Sequence, residues 1–237
     1  MLTLDPEKIP LQPGETVVDL GCGEGRHALG LYFLHNHTAV HFIALDLNLR
    51  DLETAAERQR EFTSANTCAN LTFIHGNGFD LPFANHSIDH LICSEVLEHI
   101  VDYHLVLDEI YRVLKPGGTL CISVPRAWPE KICWLLENAY YQVEGGHVRI
   151  FNGRKLKQQI LHYGYEFTHH HWAHALHVPY WWLRCLFWNR GDAFFPVRLY
   201  HRFLLWDLFQ KPWLTRALDR LLNPVMGKSL VFYFRKP

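Results

Sequence analysis

The sequence predicts a doubly wound α/β domain on a mostly parallel sheet, and three observations carry that expectation. Short apolar runs alternate with helix-period segments across the first half of the chain. The first such run, Thr16–Asp19, leads into a turn built on Gly21, Gly23 and Gly25. A helical pattern then spans about Glu24–His35. Strand, glycine turn and helix together let a backbone press against a nucleotide, and the helix N-terminus offers free N–H groups to an anion.

The elements follow in order. Met1–Gly14 is a short lead-in with three prolines. His41–Asp46 is a second apolar run that closes on an acid, and Leu49–Phe62 has the spacing of a polar-faced helix. Leu71–His75 and Ile88–Ser94 are the third and fourth runs. Tyr103–Leu114 has helical spacing at Leu105, Ile110, Val113 and Leu114, and Lys115-Pro116-Gly117-Gly118 is expected to stop it. Thr119–Val124 is a fifth strand. Five strands alternating with helices imply crossovers that cover both faces of a parallel sheet. There is no internal repeat and no low-complexity tract.

Composition bounds the function. With 49% hydrophobic residues in 237, the chain can bury a sizeable core. A net charge of −1 argues against a protein-wide nucleic-acid field. The six cysteines form no C-x-x-C pair and mostly fall in apolar runs, which reads as buried thiols in a reducing, cytoplasmic setting. No signal peptide and no apolar run of membrane-spanning length is evident.

The glycines read G-x-G-x-G rather than the dinucleotide spacing G-x-G-x-x-G, with Asp19 just ahead of them. This resembles the first motif of the class I S-adenosylmethionine (SAM) methyltransferases, whose fold is Rossmann-like. Three further stretches support the likeness. His75-Gly76-Asn77-Gly78-Phe79-Asp80-Leu81-Pro82-Phe83 is similar to the family's Gly-Asp-Ala-x-x-Leu-Pro-Phe. Ile88–Ser94 runs into the family's "EVLEH", here Glu95–His99, and Lys115–Leu120 matches "LKPGGxL". Four motifs in order over residues 16–124 resemble the methyltransferase type 11 subgroup.

The resemblance implies SAM as cofactor, bound by Asp19, Gly21, Cys22, Gly23, Gly25, Asp46, Leu47, Asn77, Gly78, Phe79, Cys93 and Ser94. Asp46, about twenty residues past the last glycine, is placed to accept from both ribose hydroxyls. Asn77 stands where the family has an Asp that meets the adenine amino group; its carbonyl still accepts one hydrogen bond, without charge assistance. Phe79 can flank the adenine, and backbone near Cys93 and Ser94 would face the methionine end.

Glu95, Glu98 and His99 fall at i, i+3 and i+4, on one face if the segment is helical. Gly145-Gly146-His147 is similar to the "GTH" of the ubiquinone-pathway O-methyltransferases, which implies that His147 sits beside them. Plant small-RNA 2′-O-methyltransferases hold a metal with a comparable set. Glu95, Glu98, His99 and His147 are therefore candidate ligands of a divalent metal, and His99, His147 and Glu98 candidate acid–base groups. Many metal-free relatives also carry "EVLEH".

In the second half, Trp128–Tyr141 and Asn152–Tyr163 have helical spacing, the latter with an Asn cap. Glu166–His174 resembles the sixth strand, and alternation splits its histidines 169, 170, 171 and 174 between faces, so they cannot share one metal. Ser229–Arg235 resembles the antiparallel seventh and last strand. Between them, 176–227 is unlike a loop. It holds five Trp, and seven basic residues against three acids, a local net charge of +4. Pro196 suits a helix start, and Leu214–Leu222 is a second helical stretch.

The whole, 1–237, reads as one SAM-methyltransferase domain with 176–227 as a helical insertion that serves as a lid or faces a partner or membrane surface. The expected activity is methyl transfer to a small hydrophobic, lipid- or isoprenoid-like acceptor, O-methylation foremost. The alternatives are methylation of a macromolecule, or a non-catalytic SAM-fold binding or scaffold module; a scaffold would need neither the glycine turn nor Asp46.

Overall fold

The computed structural model describes residues 1–62 and 67–237. Strands β1 (Thr16–Leu20), β2 (His41–Asp46), β3 (Asn70–His75), β4 (Ile88–Ser94), β5 (Leu114–Pro125), β6 (Glu166–Ala173) and β7 (Ser229–Arg235) form one sheet in the order β3-β2-β1-β4-β5-β7-β6. β1 to β5 pair in parallel, and β7 runs antiparallel to both β5 and β6. The helices are α1 (Arg26–Leu34), α2 (Leu49–Phe62), α3 (Tyr103–Val113), α4 (Ala127–Leu136), α5 (Ala139–Gln142), α6 (Gly153–His162), α7 (Val178–Leu186), α8 (Phe195–Gln210) and α9 (Trp213–Met226).

The central strands are apolar throughout because each face is covered. Val18, Leu91 and Cys93 turn to one face, where Val106 and Ile110 of α3 and Leu156 and Ile160 of α6 pack on them. Val17, Phe42 and Ile92 turn to the other, against Leu31 and Tyr32 of α1. Neighbouring residues such as Val17 and Val18 part company because side chains alternate along a strand. The lead-in is fastened to this second face: the Tyr233 hydroxyl accepts the Asp5 N–H at 2.6 Å.

The structure moves several boundaries. Gly25 adopts φ +84°, so α1 begins at Arg26 rather than near Glu24. Helix α3 stops at Val113 and β5 starts at once, so Lys115–Gly118 lies inside the strand, where Lys115 Nζ reaches Asp89 at 2.7 Å. The single helix expected over 128–141 is two, α4 and α5, broken where Glu137 is extended and its carboxylate accepts the Ala139 N–H. The Asn152 cap forms as expected, accepting from the N–H groups of Arg154 and Lys155. The stretch expected at 214–222 extends to the whole of α9.

The helix face expected at 95–99 is not formed. Glu95 N–H still bonds the Ser123 carbonyl at 3.0 Å, continuing the β4–β5 ladder, and Glu95 then turns through φ +57°. Only Leu97–His99 makes a single 3-10 turn.

Candidate active site

The chain order reverses between β1 and β4, and in open α/β sheets ligands bind at that switch point, beyond the carboxyl ends of the strands. A cavity of about 580 Å³ opens there, lined by Gly21–Leu29 less Ala28, together with Met1, Arg58, Ser94 and Glu95.

The three glycines have different tasks. A Cβ on Gly21 would strike Val96 Cγ2 at 2.4 Å, and one on Gly25 would meet Leu29 and Ala55 within 3.0 Å. These two permit close packing of loop on core. Gly23, at φ +51°, has nothing within 4 Å of that position, so it leaves the cavity floor open for a ligand.

Two acids hold the loop. Asp19 is buried, and its carboxylate accepts the Ala28 N–H at 2.9 Å, fixing the start of α1. Burial lifts its pKa to about 7, against the pull of that hydrogen bond. Asp46 accepts the Gly23 N–H at 2.7 Å with one oxygen and the Asn48 N–H at 2.8 Å with the other. A carboxylate offers about four acceptor positions, so Asp46 keeps capacity for a diol. The residues present therefore fit a nucleoside ligand.

Of the other expected contacts only Ser94 lines this cavity; Leu47, Asn77, Gly78, Phe79 and Cys93 do not. Leu47 is 67% exposed, and its carbonyl meets His75 Nε2 at 2.9 Å, which brings the β2 and β3 ends together. Asn77 Oδ1 accepts the Phe79 N–H at 3.1 Å, and Phe79 is 42% exposed. Gly78 faces inward, where a Cβ would touch Val106 and Leu20. Cys93 is fully buried in the core, and Cys22 is buried with its thiol pushed well up by desolvation, so neither is a reactive thiolate. The Ser94 hydroxyl pairs with that of Ser123 at 2.8 Å.

A second cavity, of about 340 Å³, shares Met1, Arg26 and Glu95 with the first. Its other walls are apolar (Leu204, Leu205, Leu208), aromatic (Tyr180, Trp181) and polar (His174, His177, His201, Asp207, Lys228). Burial holds His177 down to about 4 and His174 well below the usual imidazole value, so both are neutral near pH 7. Lys228 Nζ lies 4.0 Å from Glu95 Oε2 and over the Trp181 ring. Glu95 and His174 both have positive φ, 57° and 66°, a strain that concentrates at functional sites. No local pattern marked Arg26, His177, His201 or Lys228 as site residues, because they lie far apart in the chain and meet only on the wall of this cavity.

Glu98, His99 and His147 do converge, with one ligating atom from each within 4.8 Å of the others. Glu95 is not in that group, since its carboxylate goes to the Ser123 hydroxyl and toward Lys228. None of the three lines either cavity. Glu98 is completely buried and neither of its oxygens has a hydrogen-bond partner; burial, then the charge of Glu95, drive its pKa well up. Such an orphaned carboxyl fits either a proton or a cation. His147 Nδ1 is bound at 2.6 Å to Glu130, a buried acid that also accepts from Trp134 and Tyr140. Burial would raise Glu130, but the hydrogen bond and charge of His147 and the charge of Lys228 hold it below its ordinary value. Glu130 escaped sequence reasoning because it sits in an unremarkable helical pattern. In β6, His170 packs beside Phe232 and His171 stacks on Tyr233, so these neighbouring histidines take opposite faces as alternation expects, while His174 lies just past the strand and is buried.

The fold and the glycine-loop cavity define a class I methyltransferase architecture. The chain belongs to the family described as "Methyltransferase domain", whose profile matches residues 11–169. It is 32% identical over 118 residues to a demethylmenaquinone methyltransferase of Oceanobacillus iheyensis, covering 49% of this chain and 48% of that protein. It is 32% identical over 117 residues to O-methyltransferase rstn1 of Aspergillus nomiae, covering 49% of each. The chain thus matches about half the length of these curated relatives. Among solved structures, a SAM-dependent methyltransferase of Methanosarcina mazei superposes with a TM-score of 0.61 over 99% of both chains at 15% identity. The 4+2 cyclase SpnF does so with 0.62, over 98% of this chain and 77% of that one, at 19% identity. At such identities the likeness shows the fold alone; a cyclase beside a methyltransferase illustrates that a fold does not fix a reaction.

Proposed function

We propose that the protein transfers a methyl group from SAM to a small, hydrophobic, hydroxyl-bearing acceptor. The observation that carries this reading is the junction of the two cavities at Met1, Arg26 and Glu95. A nucleoside site opens directly onto an apolar, aromatic chamber. Bound SAM would supply a methyl already activated by the sulfonium charge. The chain's own part is to hold the acceptor oxygen in line, keep water out with Leu204, Leu205 and Leu208, and offer proton acceptors. The titratable groups on the chamber wall that can take a proton are Glu95, His174, His177, His201 and Asp207, of which His174 and His177 are made poor bases by burial. Of the relatives' names, O-methyltransferase agrees with an oxygen acceptor, while demethylmenaquinone methyltransferase agrees with a small hydrophobic quinone-type acceptor and names no oxygen.

The test is transfer of labelled methyl from SAM to a panel of hydrophobic ring hydroxyl compounds. Filling the chamber with Leu204→Trp should abolish transfer while S-adenosylhomocysteine still binds. Unchanged transfer in that variant would place the acceptor elsewhere.

The cluster Glu98, His99 and His147 supports a second element of the proposal, a divalent cation held by one carboxylate and two imidazoles. It lies off the chamber walls, so its role would be to brace the 145–148 loop, where the Val148 N–H bonds the Glu98 carbonyl at 2.9 Å.

A further inference from the structure

Among the described residues no helix is long and apolar enough to cross a membrane. Yet α8 and α9 each leave an apolar stripe uncovered. On α8, Phe195, Leu199, Trp206 and Phe209 are exposed at i, i+4, i+11 and i+14, with exposed Arg202 at i+7 completing the stripe. On α9, Leu214, Leu218, Leu221 and Val225 are exposed at i, i+4, i+7 and i+11. Where the two helices meet, Phe209 in the last turn of α8, 75% exposed, and Trp213 at the start of α9, 78% exposed, stand either side of Lys211-Pro212. Side chains this large are not left in water over so extended a patch without a partner.

The charge around the stripes identifies the partner. Arg198, Arg202, Lys211, Arg216 and Arg220 are all exposed. The two acids of the same helices point inward: Asp207 accepts from Thr215, and Asp219 accepts from the Leu176 N–H and from Asn223. The outer surface of α8–α9 is therefore cationic as well as apolar, although the chain as a whole carries −1. Trp and Phe at a turn flanked by Lys and Arg match the boundary of a bilayer, where rings sit among head groups and cations meet anionic lipid.

We propose that the α8–α9 hairpin docks on the surface of an anionic lipid bilayer, with Phe209 and Trp213 entering the interface and the five basic residues held at the head groups. The proposal goes beyond the methyl-transfer reading and does not depend on it. It has one structural consequence for that reading. The inner side of α8 supplies His201, Leu204, Leu205 and Leu208 to the 340 Å³ chamber, so a single helix separates that chamber from the docked surface.

The experiment is co-sedimentation of the full chain with vesicles of phosphatidylcholine alone and of phosphatidylcholine with phosphatidylglycerol. The expected result is binding to the anionic vesicles at low salt, weakened by raised salt and absent on phosphatidylcholine alone. Phe209→Asp with Trp213→Asp, both exposed at the facing ends of α8 and α9 and on the wall of neither cavity, should weaken vesicle binding by about tenfold or more. S-adenosylhomocysteine binding by the same variant should be unchanged, which separates this proposal from the cofactor reading. Absence of wild-type binding to anionic vesicles at low salt would overturn the proposal. So would a variant that binds them as well as wild type, or a wild-type dimer in solution that the two substitutions disperse without any vesicle binding.

Discussion

Asp46 Oδ2 accepts the Gly23 N–H at 2.7 Å, which ties the open floor of the glycine loop to the end of β2. The contact is charge-assisted and lies beside the cavity, so it both shapes the loop and leaves the carboxylate ready for a diol. Asp46→Ala should weaken S-adenosylhomocysteine binding by about 1–3 kcal/mol, read by calorimetry. Asp46→Asn, which retains one acceptor oxygen, should fall between. Equal affinity in all three proteins would remove Asp46 from the ligand site.

The glycines separate packing from ligand space. Gly21→Ala brings a Cβ against Val96 at a φ of +69°, and should cost about 1–3 kcal/mol of stability from backbone strain, with overpacking adding to it. Gly23→Val meets no protein atom at Cβ but projects into the cavity. It should fold with only the strain cost of its φ and lose ligand affinity far more than stability. Thermal unfolding and calorimetry on the pair would show it; the reverse ranking would contradict the assignment of the floor.

Asp19 gives stability a pH dependence. Its folded-state pKa is about 7, raised chiefly by burial, against about 3.9 in an unfolded chain. Its contribution is then fully present below about pH 4 and lost as pH rises through about 7. Asp19→Asn keeps an oxygen for the Ala28 N–H and removes the titration. Urea unfolding of both proteins should show the variant gaining on wild type between pH 4.5 and 7.5, by at most about 1.4 kcal/mol per pH unit. A pH-independent difference would mean that Asp19 is ionised throughout.

The orphaned oxygens of Glu98 give the cation reading a direct test. Added Zn²⁺ or Mn²⁺ should raise the melting temperature of wild type, and Glu98→Gln should lose that shift. If neither ion shifts the wild type, the cluster holds a protonated acid, and Glu98→Met should then be neutral or stabilising.

Much of the fold was legible because its signals are local. Val17-Val18 before the glycines, the acid closing β2 and the Asn152 cap are each decided within a few residues, and each forms as expected. The sheet with its antiparallel last strand also follows the resemblance. The errors fall where tertiary pairing overrides a local pattern. The segment from Glu95 has helix-like spacing, but the Ser123 carbonyl captures the Glu95 N–H and the chain stays with the sheet. Lys115–Gly118 ends α3 as its chemistry predicts, but the chain goes straight into β5, and these four residues form an irregularity between the Leu114–Ile88 and Thr119–His90 pairs rather than a separate turn. The chamber was least legible, because Arg26, Glu95, His177 and Lys228 lie far apart in sequence and meet only once α7 and α8 fold over the end of β7.

The central claim is that the glycine-loop cavity is a SAM site. Calorimetric titration of the wild-type protein with S-adenosylhomocysteine tests it most directly. The expected result is one site of about micromolar affinity, lost on Gly23→Val and weakened on Asp46→Ala. A folded wild type that binds no S-adenosylhomocysteine would contradict it and leave the fold as a scaffold with another ligand.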